Sequence, residues 1–342
     1  MPTLWTPSEE RDLQLAWEDF SKLHPERTYK AWWNKRHAMC QATPTDPIEF
    51  VDRIQPLTDE QIDAYVERML QASEVALPNG GDQAEVTAQI SSQYPIGIAF
   101  TGDWHVGSRG TDLRALIAHN KLIAATPGLY VVGMGDYMHN AKANSRQADS
   151  LYRALFPNPD EQRLVALREL RRLKGKILAL CRGCHDSWDI KHAGTNPLVD
   201  VAQQLDTVCL WHGGVIHLKV GSQEYHILAR HRYGGSSDNS TNAQRRAWQD
   251  YPEDDRLDVV ALAHLHYNDL QMRTRGKTRK VVYLRSGSYH VWDDYAQRLG
   301  GYRGEIGVPV VIFYPDERRL VPLEGSNLEQ AIEILRYFRG EG

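Results

Sequence analysis

The chain has 342 residues, 42% of them hydrophobic, and a formal net charge of −4. That is enough to bury one large core with a smaller unit appended, and it excludes nucleic-acid binding through the overall field of the molecule. Four cysteines in so long a chain exclude a disulfide framework and predict reduced thiols. No segment approaches the ~20 apolar residues of a membrane span, and Met1 to Arg11 hold no apolar stretch of signal-peptide length. A cytoplasmic protein without a membrane partner is expected.

Thr6-Pro7-Ser8-Glu9 sets out an N-cap, a proline at the first helical position and a capping-box glutamate in order. With Leu13, Trp17 and Phe20 on one face, this predicts a helix from about Pro7 to Leu23. His24-Pro25 ends it, and Arg27 to Met39 reads as a second helix that carries Arg27, Lys30, Lys35 and Arg36 with no acidic residue. The opening Trp-Thr-Pro-Ser-Glu-Glu and the later Arg-Thr-Tyr-Lys-Ala-Trp-Trp-Asn-Lys-Arg resemble a Myb/SANT-type helix-turn-helix, whose last helix reads DNA. A small clamp that packs Trp17, Trp32 and Trp33 onto the main domain or a second subunit accounts for the same residues, and both readings stand.

Residues 43–57, with Pro44, Pro47 and Pro56, read as a connector. Thr58 with Gln61 then caps a helix striped by Ile62, Tyr65, Val66, Met69 and Leu70, and Pro78 to Gly81 marks a loop. From Ile96 the pattern alternates: a strand to Phe100, a helix from Asp112 to Ala125, a strand from Leu129 to Met134, a helix from about Asp160 to Lys174, and a strand from Lys176 to Cys181. Such alternation predicts parallel strands joined by right-handed crossovers. After Thr207 short strands turn at Gly213-Gly214 and Gly221-Ser222 as hairpins. Strands at Tyr225 to Ala229, Asp258 to Ala263, Lys280 to Arg285 and Val308 to Phe313 follow, and Ser326 with Glu329 caps a last helix ending near Gly340. The expected architecture is α/β, two mixed sheets packed as a sandwich with helices outside and an N-terminal helical extension. The expected divisions are a helical unit at 1–42, a linker with one helix at 43–94, a catalytic domain at 95–320 and a C-terminal helix at 321–342.

Five separated pieces carry metal-ligand chemistry: Asp103-Trp-His105, Gly135-Asp136, Gly183-Cys184-His185-Asp186, His231 and His264-Leu-His266. Each lies where a predicted strand runs into a loop, so ligands distant in sequence can converge at one sheet edge and hold two cations. Asp103 and His105, two apart in an extended segment, would project to the same side. A carboxylate at Asp136 can bridge two cations and offset their repulsion. The imidazoles of His231, His264 and His266 suit Mn, Fe, Zn or Ni better than Ca.

In this order the motifs resemble the calcineurin-like metallophosphoesterase family, in the style of its phage and prophage members, over roughly residues 95–315. The resemblance implies Asp103, His105 and His266 on one metal and His231 and His264 on the other, with Asp136 bridging. His185 would be the catalytic imidazole near the leaving group, oriented by Asp186. Two positions depart from the family pattern. Ala263 stands where a glycine precedes the first histidine, a change that costs little unless the backbone there needs positive φ. Cys184 replaces a metal-binding asparagine; its thiolate could ligate Zn or Fe directly or leave the position to water. Cys181-Arg-Gly-Cys184 has CxxC spacing, but no second pair or thioredoxin-like context accompanies it.

His139, three residues past Asp136, resembles the histidine near the scissile phosphodiester in SbcD-like repair nucleases; a rim residue bonded to its own loop is the alternative. Arg230, Arg232 and Tyr233 flank His231 beside a polar stretch at 234–242 and would bind phosphates. The expected function is a two-metal phosphodiesterase, a DNA nuclease using a metal-bridging hydroxide, with Mn as the favoured ion and DNA as substrate. The alternatives are a phosphomonoesterase acting on nucleotides or phosphoproteins, and a DNA-binding or assembly protein whose metal site is weakened by Cys184.

Overall fold

The segment Ile96–Thr101 is buried at every position, as a strand covered on both faces must be, and the rest of the sheet builds outward from it. The computed structural model describes residues 5–13, 15–42, 58–60, 62–64, 66–68, 83–141, 158–234, 241–251, 257–275, 279–292 and 304–341. The predicted connector at 43–57, the loop Pro78 to Gly81, Gln61, Tyr65, Met69 and Leu70 of the capped helix, and 235–240 of the polar stretch lie outside them. The described residues of that helix, 59–60, 62–64 and 66–68, are helical. The chain divides into two units, Met1–Glu74 and Val75–Gly342.

In the second unit eleven strands form one sheet. They are β1 (Gln83–Ile90), β2 (Ile96–Thr101), β3 (Leu129–Gly133), β4 (Ile177–Cys181), β5 (Cys209–Val220), β6 (Gln223–Arg230), β7 (Val259–Leu262), β8 (Asp269–Arg275), β9 (Arg279–Arg285), β10 (Val310–Phe313) and β11 (Leu320–Leu323). The spatial order is β11-β10-β2-β3-β4-β5-β6-β7-β9-β8, with β1 pairing to β5 off this path. The run β2-β3-β4-β5 is parallel, as is β6-β7-β9, while β5-β6 and β8-β9 are antiparallel hairpins.

The two separate sheets expected from the sequence are thus one hydrogen-bonded sheet, and its end strands β8 and β11 come together. The sheet curls back on itself because every strand has an inner face to bury: Ile98, Phe100, Val132, Ala179, Ile216, Ile227, Ala261, Leu284 and Phe313 make one continuous inner cluster. The outer faces of β2, β3, β4 and β10 take four helices, Leu113–Ala125, Pro159–Arg172, Pro197–Gln204 and Leu328–Arg339, through Leu116, Ile123, Leu170, Leu198, Ile332 and Leu335. The helix Asn242–Gln249 covers β6, β7 and β9 through Ala247.

Several boundaries differ from expectation. Strand β1 falls inside the predicted 43–94 linker, yet pairs in parallel with β5 over Gln83 to Ile90. The proposed C-terminal division belongs to the same fold, since β11 pairs with β10 and the last helix joins the outer core. That helix starts at Leu328 after Asn327 rather than on a Ser326 cap. Strands β8 and β11 and the helices Ser187–Ala193, Pro197–Gln204 and Asn242–Gln249 were not expected. They are short, and so few residues give a periodic pattern too little length to be read.

In the first unit the predicted helix Pro7 to Leu23 is two, Pro7–Asp12 and Trp17–Leu23, followed by Tyr29–Ala42. The Thr6–Glu9 capping box forms as expected. The break comes at Ala16, whose extended backbone starts the second helix. Leu13 to Ala16 are good helix formers, so propensity does not mark it; it follows from packing Leu13, Phe20 and Trp32 into one small core. Two of the four cations expected to face phosphates are used within this unit. Arg27 donates to both Glu9 oxygens at 2.6 and 3.0 Å and covers the Trp5 ring, and holds the Glu9 carboxyl down to about 2. Arg36 donates to the Leu15 carbonyl at 3.1 Å and lies over Trp32. Lys30 is exposed and Lys35 half-buried. Among the described residues no helix is long and apolar enough to cross a membrane.

Phe20 is fully buried, and Phe20→Ala should cost about 3–5 kcal/mol, more than so small a core can absorb. Limited proteolysis should then cut within residues 5–42 while the unfolding transition of the second unit stays in place.

Candidate metal centre

The metal-ligand motifs converge beyond the C-terminal ends of β2, β3, β4, β6 and β7, as the rule for parallel sheets requires. The segments do not leave the strands in extended form. Asp103, His105, Asp136, Asn140, His264 and His266 all have φ between 44° and 76°. Left-handed backbone at non-glycine residues costs of order 1–3 kcal/mol each and gathers at functional sites. Asp103 and His105 do face one cluster, but through this coiled backbone and not through the period of a strand. Ala263 is not among the left-handed residues, so alanine fits there at no conformational cost.

The donors form two groups that share one atom. Asp136 Oδ2 lies 3.8 Å from His105 Nε2 and 3.2 Å from His231 Nε2. On the first side, His105 Nε2 is 3.7 Å from Asp103 Oδ1 and 3.2 Å from His266 Nε2, and His266 Nε2 is 3.5 Å from the same Asp103 oxygen. On the second side, Cys184 Sγ is 3.7 Å from His264 Nδ1, and the donor atoms of Cys184, His231 and His264 all lie within 4.8 Å of one another. Among the described residues Asp103 Oδ1 and His105 Nδ1 are buried without a hydrogen-bond partner, which native cores rarely tolerate unless an ion or water completes them. Mixed imidazole, carboxylate and thiol donors in two groups around a shared carboxylate oxygen fit a pair of divalent transition metals.

Each donor is held from behind. His231 donates Nδ1–H to the Met134 carbonyl at 2.8 Å, which leaves Nε2 toward Asp136. Asp136 Oδ1 accepts the His185 amide at 2.7 Å, and Asp103 Oδ2 accepts the His264 amide at 2.8 Å. Bonds of this kind to the outer atoms of ligands fix their orientation. Gly183 is required by the approach of Asp136: a Cβ there would stand 2.0 Å from Asp136 Oδ1 and 2.2 Å from its amide nitrogen.

Electrostatics act differently on the individual donors. Burial opposes ionisation of Asp103 and Asp136, yet His266 beside the first and His231 beside the second hold both well below the usual carboxylate range. Burial, reinforced by His185, pushes His105 far below the ordinary imidazole value, and burial with His231 lowers His264 to about 4. His231 and His266 rise in spite of burial because of Asp136 and Asp103.

Asp186 does not take the role expected of it. Its Oδ2 accepts the Asp136 and Gly183 amides at 2.7 and 2.8 Å, tying two ligand loops together, and burial followed by the charge of Asp136 pushes it up to about 7. His185 is oriented instead by the His139 carbonyl, which faces its Nδ1, and by Trp188 stacked at 4.1 Å. His139 is buried within the imidazole cluster, 5.9 Å from the His105 ring and 5.5 Å from that of His185. Burial and then His185 lower it to about 3.

Of the expected phosphate contacts, Arg230 lies over the Tyr233 ring, and Tyr233 donates to Asp250. Arg232 is exposed and close enough to help lower His264. The sequence reading missed His290, whose ring lies 4.7 Å from that of His105 and whose Nε2 meets Ser108 Oγ at 2.8 Å. It also missed Asn140, which bonds the His185 carbonyl and Asp189. The signal for His290 was its place in the loop that leaves β9, the same strand-end position as the recognised ligands.

No protein-family model matches the chain, and no curated protein matches it. Among solved structures it is similar to a conserved protein of Streptococcus pneumoniae described as a predicted phosphoesterase, at 14% identity and TM-score 0.33, covering 68% of this chain and 99% of that one. It is also similar to Vps29 of Chaetomium thermophilum, at 11% identity and TM-score 0.36, covering 67% and 96%. A metallophosphoesterase of Sphaerobacter thermophilus gives 15% identity and TM-score 0.34, covering 70% and 94%. Scores this low assign no family, and the chemistry of the site rests on its own donor atoms.

Gly183→Ala should displace Asp136 and lower metal affinity by at least tenfold, the usual effect of disturbing the support of a ligand. Gly234→Ala, where an added Cβ meets nothing within 4 Å, should leave metal content unchanged; elemental analysis after dialysis checks both.

Proposed function

We propose that the chain is a metal-dependent phosphodiesterase that hydrolyses DNA, with two divalent ions, Mn favoured, held by Asp103, His105, Asp136, Cys184, His231, His264 and His266. The observation that carries this reading is the single oxygen, Asp136 Oδ2, facing both imidazole groups. When bound, the ions would polarise the phosphoryl group and supply a nucleophile at neutral pH.

The protein's own groups account for the remainder of the reaction. His185 has its Nδ1 engaged by the His139 carbonyl, so Nε2 is the atom that delivers a proton to the departing oxygen. Trp188 restricts the ring to that orientation. His139 and His290 enclose the same side of the cluster, where they can donate to non-bridging phosphate oxygens. Arg232, exposed beside His264, supplies a cation for the adjacent phosphate of a chain. Diester over monoester rests on His139 and Arg232. The cations of the first helical unit support it less, because Arg27 and Arg36 are engaged within that unit.

Asp136→Ala should abolish hydrolysis in a folded protein, because Asp136 Oδ2 faces both groups. Near-normal turnover by that variant would refute a two-ion site. His185→Ala should retain both metals and lower kcat by roughly 10² to 10⁴; loss of metal from it would make His185 a ligand. With Mn, turnover of bis-p-nitrophenyl phosphate and of duplex or single-stranded DNA should exceed that of p-nitrophenyl phosphate, and the reverse order would identify a phosphomonoesterase.

A further inference from the structure

A second set of imidazoles meets on the outer face of the β5-β6 hairpin. Ile216, Leu218, Tyr225 and Ile227 turn inward and are fully buried, so the period-2 alternation places His217, Glu224 and His226 outward. His217 and His226 are direct cross-strand partners. Their Nδ1 atoms approach to 2.8 Å, and the Glu224 carboxylate joins them with all three donor atoms within 4.8 Å of one another. His226 is five residues before His231, about 16 Å along an extended strand, so this cluster is separate from the metal centre.

The two imidazoles could share a single proton, and the surroundings favour a cation in its place. Glu85 on β1 sets its Oε2 3.4 Å from His217 Nε2. A carboxylate there accepts a hydrogen bond from Nε2–H and leaves a lone pair on Nδ1, the arrangement that supports metal-bound histidine. Asp258, which accepts the His226 amide at 2.9 Å, is paired with Arg318 at 2.9 Å and Arg279 at 3.6 Å. Nitrogens on a tetrahedral ion with ~2.0–2.1 Å bonds lie about 3.3 Å apart, so the rings need to part by only about half an ångström.

We propose that His217 Nδ1, His226 Nδ1 and the Glu224 carboxylate bind one divalent transition-metal ion, with Glu85 as the carboxylate that positions His217. Two imidazoles and one carboxylate suit Zn, Ni or Cu over Mg or Ca. The half-buried histidines and exposed Glu224 leave the remaining coordination position to water. Through Glu85 the ion would also fix β1, whose one strand pairing among the described residues is with β5.

The experiment is a metal count by elemental analysis after equilibrium dialysis against ZnCl2 or NiCl2, comparing the unaltered chain with His226→Ala. The variant should bind one ion fewer per chain, while its Mn-dependent hydrolysis is unchanged. Glu85→Gln should keep the site and weaken it about tenfold. As a second measurement, calorimetric titration with Zn should show one site fewer in His217→Ala than in the unaltered chain. Equal ion counts in the unaltered chain and His226→Ala, or equal Zn stoichiometry in the unaltered chain and His217→Ala, would overturn the assignment, and far-UV circular dichroism shows whether each variant is folded.

Discussion

Asp136 brings a charged carboxylate into a place where water is excluded, with one oxygen bonded to the His185 amide and the other exposed to two sets of imidazoles. A buried charge of this kind is unfavourable unless it is paired and hydrogen-bonded. The surrounding loops meet that requirement. Gly183 lacks the Cβ that would exclude the carboxylate, Asp186 draws the Asp136 and Gly183 amides together, and Met134 directs His231 toward Oδ2. The strand ends must therefore sit in a narrow register relative to one another, which the single curled sheet provides by hydrogen-bonding β3, β4, β6 and β7 into one body.

The same requirement explains where strain is stored. Six residues of the site have left-handed backbone, each turning a side chain or amide into the cluster just past a strand end. The left-handed turns bring Asp103, His105, His264 and His266 into one cluster beyond the strand ends. The large apolar core inside the sheet and the outer clusters under the helices hold these turns. The candidate site is built from residues in strained backbone, supported by strands rich in intrinsic preference.

The β5-β6 hairpin shows that one strand can serve two environments. Its inner side chains complete the core, and its outer side chains gather His217, His226 and Glu224 with Glu85 from β1. The first helical unit likewise uses its aromatic and basic residues together: Arg27 and Arg36 spread over Trp5 and Trp32, so that cations which look available in a linear reading are partly consumed in holding three short helices around one small core.

The sequence by itself determined the alternating core strands from Ile96 onward, the helices between them, and the placing of the candidate donors at strand ends, because burial on both faces and helical periodicity leave local patterns. It did not determine β8 and β11, which are short and partly exposed, nor the place of β1, whose alternation of Glu85, Thr87 and Gln89 with Val86, Ala88 and Ile90 names no partner strand, nor the break at Ala16, where propensity and tertiary packing disagree. Tertiary structure alone decided that two expected sheets are one, since hydrogen bonding between β4 and β5 is a relation between distant segments. It also decided that the His139 carbonyl, not Asp186, orients His185, and that His290 and Asn140 join the cluster. Those contacts depend on left-handed turns and on loops meeting across the sheet, and no local pattern in the chain encodes either.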